Sequence, residues 1–215
     1  MSTFPRGLEP PRRAALVVHE WQRGMIDPEM SSNRGLADHA ETRQTTARID
    51  ALASAMRDIG APVIWSTIEP RPDWQGSTAS CLLLSLLRRG GLTGDTPQAQ
   101  LDPRLYTADS DIWIRRVHGL TPFHNTELEP YLRAARIDTV ILAGVSTDVG
   151  IPGAALEAVN RGFAVVVAED CIAGSSPEAH DWQVRNTIPL LAAVSDSQAI
   201  AEALRAGIPA DQPTL

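Results

Sequence analysis

Short apolar runs alternate along this chain with longer stretches whose apolar residues recur at helical spacing. Ala14-Ala-Leu-Val-Val-His19 is nearly all apolar, which predicts a strand buried on both faces. Further strands are predicted at 61–68, 111–115, 138–143, 163–168 and 190–194. Between them, residues 36–59 read as one helix, with Ile49, Leu52, Ala53, Met56 and Ile59 on a single face and Gly60 as its stop. Helices are also predicted at 78–89, at 126–136, from Gly150 to Gly162, at 177–188 and at 197–206. Strand–helix alternation requires crossover connections, so the fold class is α/β with a mostly parallel sheet and helices on both faces. One domain is expected over 13–208. A mobile, Pro/Arg-rich arm (1–12) precedes it and a tail (209–215) follows.

In such sheets ligands bind past the carboxyl ends of the strands. Those ends carry the polar groups: His19 to Gln22, Thr67 to Pro70, Arg115 to His118, Gly144 to Gly150, and Glu169-Asp170. The strand interiors carry almost none. The segment leading to Gly150 is an apolar run, a glycine turn and a small polar loop that opens a helix. That is where such a fold exposes a reactive group, and here the residue has no side chain.

Composition narrows the function. Of 215 residues, 26 are acidic and 19 are Lys or Arg, a net charge of −7. That argues against nucleic acid as a partner and suits a small-molecule ligand. No run approaches the ~20 apolar residues of a membrane span, and the start lacks the apolar core of a signal peptide. A cytoplasmic protein without membrane contact is expected. The two cysteines, Cys81 and Cys171, form no CxxC pair and read as structural thiols. The five histidines lack metal-ligand spacing, and neither GxSxG nor GxGxxG occurs, so no metal, cofactor or serine elbow is expected.

Glu20 ends a buried strand beside Trp21. A carboxylate so placed suits a general acid or base, or it caps a turn or pairs with an arginine. Arg115, Arg116 and His118 end the third strand, near Glu20 in an open sheet. A cation there holds Glu20 ionised or orients a substrate carboxylate; otherwise it is a solvated basic end. Alternation along the strand lets only one of the two arginines face the site.

These pieces together resemble the isochorismatase-like hydrolase superfamily, the cysteine hydrolases. Ala15-Leu-Val-Val-His-Glu20-Trp-Gln22 resembles the family's ALLVIDMQ, and Pro122-Phe123-His-Asn-Thr126-Glu-Leu128 its AFxxTxL. Residues 141–150 resemble LxGxxTxxCV, and 155–170 resemble TAxDAxxxGYxVxVxxDA. The resemblance runs from about Ala14 to Ala206. It implies a three-layer Rossmann-like fold with six strands in the order 3-2-1-4-5-6. It also implies an Asp, Lys and Cys triad, a non-proline cis peptide at Val145–Ser146, and a homo-oligomer, dimer or tetramer. At the triad positions this chain has Glu20 for the Asp, Val117 by direct count for the Lys with Arg116 and His118 as the cations on either side, and Gly150 for the Cys; a one-residue shift in the loop would bring Arg116 into the lysine's role. Arginine has no proton to give up, so Arg116 would act electrostatically.

True isochorismatases also carry glycine at the cysteine position, and the resemblance implies water attack assisted by a carboxylate, with no covalent thioester. The expected catalytic residues are Glu20, Arg116 and His118. Those expected around a small substrate, anions among the candidates, are Trp21, Gln22, Trp74, Phe123, Val145, Ser146, Asp148 and Gly150, with the backbone N–H groups near Gly150 as anion donors. The alternative is a catalytically silent ligand-binding or scaffold protein.

Overall fold

A computed structural model describes residues 5–207. Its strands are β1 (Ala14–His19), β2 (Val63–Ile68), β3 (Ile112–Arg116), β4 (Thr139–Val145), β5 (Ala164–Ala173) and β6 (Ala193–Ser195). Its α-helices are α1 (Arg23–Ile26), α2 (Arg34–Thr42), α3 (Thr45–Asp58), α4 (Leu82–Arg89), α5 (Leu128–Ala134), α6 (Gly150–Asn160), α7 (Pro177–Asn186), α8 (Ile188–Leu191) and α9 (Ser197–Ala206). The sheet runs β3-β2-β1-β4-β5-β6 and every pairing is parallel.

The period of two along each strand divides the core into two layers. Leu16 and Val18 of β1 join Ile141, Ala143 and Val145 of β4 on the face covered by α2, α3 and α9. Ala15 and Val17 join Val140 and Leu142 on the face covered by α5, α6 and α8. Both faces of β1 and β4 are therefore buried, which is why their sequences read as unbroken apolar runs.

Four elements differ from expectation. The long helix 36–59 is two: α2 stops at Thr42, and Gln44 adopts a left-handed φ of 55° before α3 begins. Threonines, weaker helix formers, flank the break at 42, 45 and 46, and Thr46 is committed elsewhere, between Trp21 Nε1 and Asp102. The strand predicted at 190–194 is shorter and later, because Ile188–Leu191 turns as a helix with Pro189 in its first turn. Strand β5 runs on to Ala173 past a register shift opposite β4. Of the expected arm, residues 1–4 lie outside the described residues, as does the whole of the expected tail 209–215. Residues 5–12 pack on the domain: Leu8 is buried in the core and Thr139 Oγ1 donates to the Gly7 carbonyl at 2.5 Å.

Candidate active site

The carboxyl ends of β1, β3 and β4 converge on one cavity of about 300 Å³. Glu20 follows β1 directly, at a left-handed φ of 50°, and its N–H is tied to the Ser66 carbonyl of β2 at 2.8 Å. That bend turns its carboxylate toward Arg116, the last residue of β3. The two side chains form an ion pair, and Arg116 also donates to the Gly119 carbonyl at 2.7 Å. Because β2 lies between β1 and β3, the pair bridges two strand spacings, roughly 10 Å, a reach suited to two long side chains. The Arg116 side chain is 1 % exposed and that of Glu20 16 %.

Alternation settles which arginine faces inward. Arg115 points out, 61 % exposed, and pairs with Glu69 at 3.3 Å. His118 is outside the cavity lining: its Nδ1 accepts from the Thr78 N–H at 3.4 Å, and its ring stands edge-on to His124.

Across from Glu20 lies the turn from β4 into α6, with a cis Val145–Ser146 peptide. Gly144 has φ 104°, and a Cβ there would run into the His19 backbone paired beside it. Val145, Ser146, Val149 and Gly150 line the cavity, and the rest of its wall is largely apolar, with Leu83, Leu84, Leu86 and Leu87 of α4 and Met25 and Leu36 opposite. The α6 end is a weaker anion cradle than expected. The Val149 and Ile151 N–H groups are bonded to the Ser146 carbonyl, Gly153 N–H to the Val149 carbonyl, and Pro152 has no N–H.

Arg116 holds Glu20 without itself lining the cavity, and the remaining expected site residues do not line it either. Trp21 is wholly buried on the α2/α3 side, its Nε1 donating to Thr46 Oγ1 at 3.1 Å. Gln22, also fully buried, is a clamp: Nε2 donates to the Ile68 and Ala99 carbonyls at 3.0 and 2.7 Å, and Oε1 accepts from the Ile68 N–H. It thereby fixes the end of β2 next to Glu20. Trp74 lies half-buried under the Arg88 guanidinium, and Phe123 packs on Phe163 in the α5/α6 core. Asp148 accepts from Ser175 N–H and Oγ. Under the loop, Thr147 Oγ1 meets His180 Nδ1 at 3.0 Å, and His180 Nε2 meets Glu169 at 3.2 Å. His180, then Arg43, holds the Glu169 carboxyl down to about 2.

His19 was not among the expected site residues. It ends β1 with its side chain fully buried, and neither ring nitrogen has a hydrogen-bond partner. Its Nε2 is 3.9 Å from Glu20 Oε1. Burial brings its pKa down to about 4; the Glu20 carboxylate and the Leu120 backbone near the ring oppose the drop, and the Arg116 guanidinium adds to it. The available signal was an ionisable residue closing an otherwise apolar strand.

Among the described residues no group of three or more His, Cys, Asp or Glu is arranged to hold a metal ion, and no helix is long and apolar enough to cross a membrane. Cys81 is exposed and Cys171 buried, and neither lines the cavity.

Residues 14–199 match the isochorismatase domain. The chain belongs to the isochorismatase family. Within that family it is 39% identical over 201 residues to the uncharacterized protein YecD of Escherichia coli O157:H7, covering 90% of this chain and 97% of that one. It is 26% identical over 222 residues to the ureidoacrylate amidohydrolase RutB of Methylobacterium radiotolerans, covering 94% of this chain and 83% of that one. A similar solved structure is a cysteine hydrolase from Pseudomonas syringae pv. phaseolicola 1448A, with a TM-score of 0.82 at 20% identity over 95% of this chain and 98% of that one. At that identity the structural likeness speaks for the fold.

Proposed function

We propose that this isochorismatase-family chain is a hydrolase that directs water, rather than a thiol, at a small molecule. The observation that carries the proposal is Glu20, paired with Arg116, in the wall of a cavity that the side-chain-free Gly150 also lines. A thiol route finds no support, since neither cysteine lines the cavity.

On an amide or ureido bond Glu20 takes a proton from water as the water oxygen bonds to the carbonyl carbon, and returns that proton to the departing nitrogen as the C–N bond breaks. On an enol ether it first gives a proton to the vinyl carbon, then takes one from the water that adds, and the resulting hemiketal releases the C–O bond. Arg116, which cannot lose a proton, fixes the carboxylate and stabilises its charge. The amidohydrolase relative favours C–N cleavage, and the family name C–O cleavage. Leucine walls, with Arg34 at the rim as the cation of the lining, favour an uncharged and mainly apolar substrate over an anion.

The test is hydrolysis of a panel of small amides, ureido compounds and enol ethers by wild type and by Glu20→Gln. Turnover that falls at least a hundredfold in the variant supports the role of Glu20; equal rates refute it. Binding of panel members without turnover would favour the second reading, a silent ligand-binding protein. That reading draws on the same pair, because Arg116 is already engaged by Glu20 and Gly119.

A further inference from the structure

Position 150 and position 19 compete for the same room. A Cβ built on Gly150 would lie 2.8 Å from His19 Cδ2 and 3.0 Å from its Nε2, and 2.8 Å from the Val145 carbonyl oxygen. Side chains on alternate positions of β1 explain the encounter: His19 shares the α6 face with Ala15 and Val17, and α6 begins at Gly150. Glycine at 150 therefore leaves space that the imidazole takes.

An imidazole without a partner in a fully buried place is costly and calls for a reason. The reaction supplies one. Whenever Glu20 carries a proton its O–H needs an acceptor, and Arg116 offers only donors. A group able to accept stands beside it: His19 Nε2, 3.9 Å from Glu20 Oε1.

We propose that His19 is the positioning residue for the protonated state of Glu20: its Nε2 accepts the Glu20 O–H while the proton is in transit between water and leaving group. The imidazole gains and loses no proton. Water's O–H bond breaks as its oxygen joins the substrate carbon, the proton rests on Glu20 against Nε2, and it then passes to the departing atom. Such an acceptor must stay neutral, and its burial keeps it so above about pH 4. This assignment rests on the proposed hydrolase role of Glu20.

Glu20→Gln tests it without a substrate, because the introduced amide mimics the protonated acid by presenting a donor. In protein labelled with ¹⁵N-histidine, with the His19 signals assigned by their loss in His19→Leu, two results are expected. Wild-type His19 carries its proton on Nδ1 and leaves Nε2 bare at pH 7. In Glu20→Gln the Nε2 resonance moves upfield, as it does for a nitrogen accepting a hydrogen bond. A proton on wild-type Nε2, or an unmoved Nε2 resonance in the variant, overturns the proposal. On any substrate found in the panel, His19→Leu should lower kcat at least tenfold with KM within about twofold; an unchanged kcat also overturns it. If the panel yields no turnover but the resonance moves, the hydrolase reading fails while the His19–Glu20 contact stands.

Discussion

Replacing His19 by leucine should make the protein less sensitive to acid. In the folded chain the imidazole is wholly buried with a pKa of about 4, whereas the unfolded chain restores the ordinary 6.5. Between those values the unfolded state binds more protons, so stability rises with pH through that window and is lost as pH falls through it. The gap makes His19 responsible for a loss of about 2 kcal/mol on going from pH 7 to pH 5, and about 3 kcal/mol by pH 4. His39 shifts in the same direction for the same leading cause, burial, and Glu169 adds a loss at lower pH, but both persist in the variant and cancel in the comparison. Urea unfolding of wild type and His19→Leu at pH 7, 5 and 4 reads the difference. With a slope of about 2 kcal/mol per molar urea, the wild-type midpoint should fall about 1 M further than the variant's by pH 5. At pH 7 the variant should be at least as stable as wild type, because leucine removes an unpartnered buried polar group. Parallel losses in the two proteins between pH 7 and 5 would refute the neutral, buried imidazole.

Four other outcomes follow from the same geometry. Gly150→Ala should cost about 1–3 kcal/mol in denaturation, since its Cβ meets the His19 ring and the Val145 carbonyl, and His19→Ala should recover only part of that. Glu20→Ala should destabilise by about 3–5 kcal/mol, because it strands the deeply buried Arg116 guanidinium. Arg115→Gln should change stability by under about 1 kcal/mol and leave hydrolysis intact, whereas Arg116→Gln should abolish it. Gln22→Leu should cost at least ~3 kcal/mol and lower activity, since it leaves the Ile68 N–H and the Ile68 and Ala99 carbonyls without partners beside Glu20.

The sheet was readable in the chain because its strands are buried on both faces, so periodicity and burial said the same thing at β1 and β4. The ends of helices were less readable. The break at Gln44 depends on Thr46 being held by Trp21 and Asp102, residues far away in sequence. In the site, Glu20 and the Val145–Gly150 loop were visible as strand ends, and alternation correctly left one arginine to face inward. Trp21, Gln22 and Phe123 were expected around substrate because they flank those strand ends, yet the twist of the chain after β1 turns Trp21 and Gln22 into the core. The place of His19 is not legible in the sequence because it depends on a neighbour 131 residues away, as the register of His19 opposite Gly144 brings it under Gly150.

In the proposed reaction, chemistry at this site runs through Glu20 and water and not through a thiol. The most direct measurement compares wild type, Cys81→Ser/Cys171→Ser and Glu20→Gln on a substrate identified from the panel. Full activity in the cysteine-free protein, with a loss of about 10²–10⁴-fold in Glu20→Gln, is the predicted result. Activity that disappears with the cysteines, or survives in Glu20→Gln, would contradict it.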